Sequence, residues 1–195
     1  LLWDQGHDLV IGIDEVGRGC LAGPLTVAAV GLPKQHRIRG IRDSKWLTPK
    51  EREQAARQIR MSAAVIGIGW ASHSEIDELG LTSALGLAGR RALLRLPRKS
   101  AIILDGKHNY LYDAYAVTTQ VKADQTCKAV AAASVIAKVA RDHYMELVHH
   151  LHPQYGFNTN RGYGSARHLS ELAASGPSPF HRRSFNPLRE ALIVG

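Results

Sequence analysis

Short apolar segments that end in carboxylates are the feature that most constrains how this chain can fold. Residues 9–13 are apolar and are followed directly by Asp14 and Glu15, and the apolar residues 101–104 are followed by Asp105. Apolar runs of this length are typical of buried strands, and carboxylates are seldom buried without partners. Because ligand sites in α/β proteins form where strands end, we expect these acids to converge at one edge of a sheet.

The remaining pattern also favours an α/β fold. A helix is predicted to begin at Thr48, because Pro49 suits the first helical position and Glu51 can close a capping box. Strands are predicted at 9–13, 25–32, 63–70, 101–104 and 115–121, and further helices at 81–96, 126–151 and 165–174. After Pro153 the composition shifts to Gly, Asn, Pro, Ser, His and aromatic residues. We therefore expect a main domain of residues 1–151 and a small C-terminal lobe of residues 152–195 that packs on it.

A fourth acid strengthens the case for a metal site. Asp124 follows a predicted strand and precedes a predicted helix. Each acid alone could simply cap a turn or a helix, but four converging carboxylates repel one another unless a cation neutralises them. Oxygen ligands suit the hard cations Mg²⁺ and Mn²⁺, and two such ions can activate water for attack on a phosphodiester.

The charge of the chain points to a polyanionic partner. Its 195 residues carry a net charge of +8, and residues 34–60 hold nine Lys and Arg against three acids. This stretch is either a solvated basic helix and loop or a face that contacts phosphates. A basic surface beside an acidic pocket is typical of a metal-dependent enzyme that cleaves a nucleic-acid backbone.

Other chemistries and compartments are less consistent with the sequence. It has no C-x-x-C pair, no phosphate-binding G-x-x-x-x-G-K-[ST] and no dinucleotide-binding G-x-G-x-x-G. No apolar run approaches the ~18 residues of a membrane span, and residues 1–12 do not resemble a secretory signal. With Cys20 and Cys127 as its two thiols, we expect a cytoplasmic protein whose cysteines stay reduced and take no part in catalysis.

Ten short motifs, taken together and in order, resemble the type 2 ribonuclease H family, the bacterial ribonuclease HII. Each motif is weak by itself, but together they are strong evidence, and the resemblance extends from about residue 9 to residue 189. They are GIDEVGRG at 12–19, AGP at 22–24, DSK at 43–45, DG at 105–106, VKAD at 121–124, AAS at 132–134 with AKVARD at 137–142, YGF at 155–157, GY at 162–163 and HRRSF at 181–185.

The resemblance implies a ribonuclease H-like fold, with a mixed five-stranded sheet flanked by helices and a small helical C-terminal lobe. It also implies metal-dependent cleavage of the RNA strand of RNA–DNA hybrids, and incision 5′ of single ribonucleotides in duplex DNA that leaves 5′-phosphate and 3′-hydroxyl ends. The catalytic and metal-binding residues carried over are Asp14, Glu15, Asp105 and Asp124. The expected cofactor is Mg²⁺ or Mn²⁺, with two ions.

The same resemblance indicates further residues. Those expected to bind substrate are Gly17, Arg18, Gly19, Ser44, Lys45 and Tyr163, and those expected to give support are Ser134, Lys138 and Asp142. Glycines beside Arg18 would let backbone groups approach a ribose 2′-hydroxyl, and Arg18 could bind the adjacent phosphate. The simpler alternatives are a plain turn at residues 17–19 and a Tyr163 that only anchors the lobe.

Two positions depart from the family pattern. Ala123 stands where glycine is usual, which is harmless unless the residue needs a positive φ. Cys20 stands where proline or another small residue is frequent. Two other functions remain open from sequence: another carboxylate nuclease of the same superfamily, such as a junction resolvase or an exonuclease, and a non-catalytic nucleic-acid-binding protein. We expect a monomer.

Overall fold

A mixed five-stranded sheet organises the part of the chain that the computed structural model describes, which is residues 7–36, 38, 44, 47–94, 96, 100–111 and 115–193. The strands are β1 (Leu9–Val16), β2 (Leu25–Pro33), β3 (Val65–Ala71), β4 (Ala101–Asp105) and β5 (Val117–Gln120). Their order is β3-β2-β1-β4-β5, with β1, β2 and β3 antiparallel and β1, β4 and β5 parallel. The expected α/β class is confirmed.

Helices cover both faces of the sheet and form the C-terminal lobe. They are α1 (Pro49–Ser62), α2 (His73–Leu79), α3 (Leu81–Leu93), α4 (Ala123–Thr126), α5 (Lys128–Leu151), α6 (Phe157–Asn160), α7 (Ala166–Ser175) and α8 (Leu188–Ile193), with a 3₁₀ turn at Pro153–Tyr155. The predicted capping box of α1 is present, because the Thr48 hydroxyl accepts from the Glu51 N–H and the Glu51 carboxylate accepts from the Thr48 N–H.

Alternation along β1 divides the core into two layers. Val10 packs in the layer formed with α1 and α5, whereas Ile11 and Ile13 pack in the layer formed with α2 and α3. Gly12 allows α5 to lie directly on the strand, since a β-carbon there would be 2.1 Å from the backbone of Ala129 and Val130. The long helix is therefore held against the strand that carries the first two acids.

The C-terminal lobe shares its core with the rest of the chain. Phe157 and Leu172 of the lobe pack with Ala22 and with Met145 of α5 in a third apolar cluster. Asp77 of α2 accepts hydrogen bonds from two backbone N–H groups of the lobe, those of residues 183 and 184. The lobe packs on the main body, and a domain boundary at residue 151 stays a prediction.

Several boundaries differ from the sequence-based expectation, and those next to the acids matter most; Asp105, for example, is the last residue of β4 instead of the residue after it. β1 continues through Val16, so Asp14 and Glu15 lie inside the strand instead of after it, because both residues keep pairing with β2. The single helix expected over 126–151 is divided into α4 and α5, and Asp124 lies within α4. Cys127 causes the break, because its extended backbone ends α4 and serves as the N-cap of α5.

Some expectations fall on residues outside the described part of the chain. Lys45 is one of them, as are Arg42 and Asp43 beside it. Among the helices that are described, none combines the length and the apolar character needed to cross a membrane.

Candidate active site

Asp14 and Asp105 are neighbours across two parallel strands. β1 and β4 pair with Ile13 opposite Leu104, so the next residue of each strand is an aspartate. Ile13 and Leu104 both face the α3 layer, and side chains alternate along a strand. The two aspartates therefore project from the opposite face, toward the side covered by α5.

Asp14 is a buried carboxylate in an unfavourable electrostatic environment. Burial, the Glu15 carboxylate and, to a smaller extent, Asp105 raise its pKa well above the usual value. Hydrogen bonds from the Ser134 hydroxyl and from the Glu15 N–H, the latter 2.8 Å long, act in the other direction. Removing a carboxylate from water disfavours its charged form. A cation bound beside Asp14 would therefore stabilise the charged carboxylate.

Glu15 extends toward the other side of the strand. Arg18 Nη1 donates to Glu15 Oε1 at 3.0 Å, and the Tyr110 hydroxyl donates to Oε2 at 3.4 Å. Burial raises the Glu15 pKa, whereas the contact with Arg18 lowers it. The Tyr110 pKa is also well above its usual value. Burial is the main cause, and the negative charges of Glu15 and Asp14 add to it. Tyr110 therefore stays protonated and donates to the carboxylate.

Asp105 connects the sheet edge to α4. Its Oδ1 accepts from the Ala123 N–H at 2.8 Å, which places the buried Asp124 one residue further along the same short helix. The positive φ in this turn belongs to Lys122, at 56°, and not to Ala123. The methyl group that distinguishes this chain from the family pattern is therefore accommodated without backbone strain.

The segment after β1, residues 17–24, lies beside Tyr163, and we call it the Gly17–Pro24 loop. A β-carbon at Gly19 would be 4.0 Å from Cε1 of Tyr163, and the Tyr163 side chain also interacts with Cys20. Tyr163 is 44% exposed. The structure thus brings Gly19 and Cys20 against Tyr163, in the loop that directly follows the acids of β1, whereas Gly17 packs against Arg141.

Known proteins resemble this chain over nearly its whole length. The sequence profile described as Ribonuclease HII matches residues 11–187. The Ribonuclease HII of Streptomyces avermitilis is 49% identical over 181 residues, which cover 92% of this chain and 78% of that protein. The chain belongs to the ribonuclease HII family.

Two solved structures agree with this assignment. Ribonuclease H2 from Pyrococcus horikoshii OT3 is 27% identical, with a TM-score of 0.76 over 93% of this chain and 96% of that one. RNase HII from Archaeoglobus fulgidus, solved as a complex with PCNA, is 30% identical, with a TM-score of 0.78 over 91% of this chain and 95% of that one. As a ribonuclease HII, the chain is a ribonuclease H endonuclease that depends on divalent metal ions and acts on RNA–DNA substrates.

The carboxylates of this ribonuclease HII are suitable ligands for a hard cation. Their side chains, however, do not surround a single point at which such an ion could bind. Asp14, Glu15 and Asp105 supply only oxygen ligands, and each raises the electrostatic cost of its neighbours. Within the described ranges, however, no group of three or more His, Cys, Asp and Glu side chains is placed to hold a metal ion. Alternation explains this, because Asp14 faces Ser134 of α5 and Glu15 faces Tyr110 on the other side.

The residues expected to give support divide into two groups. Ser134 hydrogen-bonds to Asp14, and its hydroxyl also lies 2.8 Å from that of the buried Ser44. Ser44 therefore lies behind Asp14, and its predicted contact with substrate stays a prediction. Asp142 lies about 12 Å further along α5 than Ser134, where it accepts from Lys138 Nζ at 2.7 Å and pairs with Arg52 at 3.5 Å. That second group links α1 to α5.

Three residues near the site were not assigned a role from sequence. Tyr110 contacts Glu15, and nothing in its sequence surroundings distinguishes it from a core tyrosine. Arg141 and Arg182 are buried beneath the Gly17–Pro24 loop. Both occur in motifs shared with the family, but only their contacts reveal what they hold. Cys20 and Cys127 are free thiols, as expected.

Proposed function

We propose that this ribonuclease HII incises duplex DNA 5′ of a single ribonucleotide, leaving 5′-phosphate and 3′-hydroxyl ends, and cleaves the RNA strand of hybrids. The observation that carries the proposal is that the Gly17–Pro24 loop, which contacts Tyr163, directly follows Asp14 and Glu15 along the chain. The loop could recognise a ribose. The carboxylates that precede it could hold cations at the phosphate next to that ribose. The 2′-hydroxyl both donates and accepts hydrogen bonds, and it distinguishes RNA from DNA.

Asp14, Glu15, Asp105 and Asp124 would hold Mg²⁺ or Mn²⁺, with two ions favoured by the number of carboxylates. Bound there, the ions would polarise the scissile phosphate and generate a hydroxide nucleophile. Because these side chains are not already gathered around one point, we infer that they draw together when ions and substrate bind. The raised pKa of Asp14 favours this, since a cation removes the repulsion from Glu15 and Asp105.

Neighbouring groups of the protein hold the carboxylates of the site in position. Ser134 orients Asp14, the Ala123 N–H orients Asp105, and Arg18 with Tyr110 orients Glu15. Arg18 is exposed, so it can exchange its ion pair with Glu15 for the phosphate next to the ribose. Tyr163 would pack on the neighbouring sugar. If it only anchored the lobe, its replacement would lower stability without changing the preference for ribose.

The same proposal includes a monomer that works in the cytoplasm on RNA–DNA hybrids and on ribonucleotide-containing duplexes. Its basic face would hold the flanking phosphates, since exposed Lys50, Arg57 and Arg60 are available for contact. Arg52, by contrast, is engaged by the carbonyls of Ser44 and Leu47 and by Asp142. We therefore assign Arg52 to the fold and not to phosphate binding.

An incision assay tests the proposal. Two labelled duplexes of the same sequence, one with a single ribonucleotide and one entirely of DNA, are incubated with and without Mg²⁺. We expect one cut, 5′ of the ribonucleotide, and only when the metal ion is present. The resulting nick should have a 3′-hydroxyl on one side and a 5′-phosphate on the other, so that a ligase can seal it. Cleavage of the DNA duplex, or cleavage without metal, would contradict the proposal.

The basic stretch is expected to act in binding. When Arg42 and Lys45 are both replaced by Gln, the slope of the logarithm of the binding constant against the logarithm of the salt concentration should become smaller by roughly 1.8. Each lost phosphate contact accounts for ~0.9 of this change. The double replacement of Arg90 and Arg189, which are exposed and lie outside this stretch, removes the same charge from another position and serves as the matched control. Equal slopes for the wild type and the Arg42/Lys45 variant, measured by fluorescence anisotropy, would refute the assignment.

A further inference from the structure

Two arginines without a carboxylate partner among the described residues lie beneath the Gly17–Pro24 loop. Arg141 of α5 donates to the carbonyl oxygens of Pro24 at 2.8 Å and Ala22 at 3.1 Å. Arg182 of the C-terminal lobe donates through Nε to the Gly23 carbonyl at 3.0 Å and through Nη1 to the Arg18 carbonyl at 3.1 Å. Both side chains have no solvent-accessible surface, so their contacts with the loop are entirely internal.

Burying these charges is costly for stability. A buried ion is usually paired, and replacing buried charges with apolar residues often leaves stability unchanged or increases it. Neither guanidinium forms a salt bridge with any residue that the structure describes, and Arg182 Nη2 has no hydrogen-bond partner within the same residues. Burial lowers the Arg182 pKa to about 10, which still leaves it charged at neutral pH. A residue needed only to anchor the lobe would not require this arrangement.

The contacts of Arg182 determine which way the loop presents its amides. The peptide between Arg18 and Gly19 has its C=O directed inward, onto Arg182 Nη1. In a trans peptide the C=O and N–H point in opposite directions, so the Gly19 N–H is directed away from the buried arginine. Among the described residues this N–H has no hydrogen-bond partner, and it lies on the side of Tyr163.

We propose that Arg182 is a positioning residue for ribose recognition: it holds the Arg18 and Gly23 carbonyls inward and thereby directs the Gly19 N–H at the substrate sugar. This rests on the proposed function. The guanidinium is suited to the task because its planar fork donates in two directions at once, which a lysine ammonium does not reproduce with the same geometry. Phe185 fixes the plane of the fork, with its ring centroid 5.1 Å from Arg182 Cζ.

The test uses the ratio of two binding constants, Ki and KM. Neither constant depends on the fraction of enzyme that is folded, so the ratio reports on positioning and not on anchoring of the lobe. For each protein we would measure KM for a duplex with one ribonucleotide, and Ki for the all-DNA duplex as a competitive inhibitor. In Arg182→Lys the ratio of Ki to KM should fall about three- to tenfold, which corresponds to one hydrogen bond, and kcat should fall as well. Arg183→Lys is the matched control, because that side chain is exposed and its ratio should stay at the wild-type value.

A milder variant covers the case in which Arg182→Lys does not fold. Phe185→Leu keeps the guanidinium but removes the ring that packs on it, so the ratio should fall in the same direction by a smaller factor. An unchanged ratio in the folded variants, even with a lower Tm, would mean that Arg182 only anchors the lobe, and the inference would be wrong. No incision by the wild-type enzyme would instead overturn the proposed function, and this inference with it.

Discussion

Replacing Asp14 with Asn should lower the rate of incision at a single ribonucleotide by at least about 1,000-fold while leaving the fold intact. The amide has almost the same shape but lacks the charge needed to hold a divalent cation beside Asp105. A loss of this size corresponds to ~4 kcal/mol of transition-state stabilisation, within the several kcal/mol that a metal ion supplies. The measurement is a single-turnover rate in Mg²⁺, with Asp8→Asn, an exposed aspartate at the start of the sheet, as the control.

The same substitution should not reduce stability in the absence of metal. Burial and the neighbouring acids raise the pKa of Asp14, so the charged form is less stable in the folded state than in the unfolded state. The folded state therefore binds more protons, and its stability falls as the pH rises through the folded pKa. In EDTA at neutral pH, Asp14→Asn should have an equal or higher Tm than the wild type, and this difference should shrink as the pH is lowered.

Metal binding gives the prediction a second readout. An ion that binds only the folded state raises Tm as its concentration increases, so Mg²⁺ should stabilise the wild type and Asp8→Asn but have much less effect on Asp14→Asn. Near-normal cleavage by Asp14→Asn, or a Tm that rises equally with Mg²⁺ in all three proteins, would show that this carboxylate does not hold the cation.

The position of the acids on the sheet was largely predictable, because it depends on local pattern. Apolar runs of strand length ending in Asp14 and Asp105 indicate both the strands and the edge at which they meet, and the structure places these residues side by side. The strand boundary was not predictable. β1 keeps its pairing with β2 through Val16, and that pairing is a tertiary contact that hydrophobic pattern does not contain. As a result Asp14 and Glu15 occupy opposite faces.

The support beneath the loop could not be predicted for a similar reason. Arg141 and Arg182 are 41 residues apart, and a charged side chain in a sequence predicts a surface position. Their burial depends on carbonyl oxygens from residues 18–24, more than 100 residues away. The two glycines beside Arg18 were predicted to allow close approach of a sugar, but the structure gives them different roles. Gly17 makes room for Arg141, and only Gly19 faces Tyr163.

Gly17→Ala should therefore be one of the most destabilising single substitutions near the site. Gly17 has a φ of +95°, and a β-carbon there would be 2.4 Å from Arg141 Nε and 2.8 Å from the Pro24 carbonyl oxygen. Arg141 cannot move aside without losing its hydrogen bonds to the loop. Left-handed backbone and overpacking together cost about 2–4 kcal/mol, which lowers Tm by roughly 5–15 °C in a chain of this size. Incision should fall as the loop is displaced.

Gly19→Ala, two residues away, separates packing from recognition. Gly19 has no positive φ, and within the described part of the chain its β-carbon would meet only Tyr163, at an ordinary contact distance of 4.0 Å. Its Tm should change by no more than ~2 °C, whereas kcat/KM at a single ribonucleotide should fall about tenfold or more, because the new methyl group lies where the sugar approaches. The interpretation requires that incision falls in both variants but that Tm falls strongly only in Gly17→Ala, with thermal melting and incision measured on the same preparations. A Gly19→Ala protein with wild-type kcat/KM would show that the sugar does not approach the backbone here.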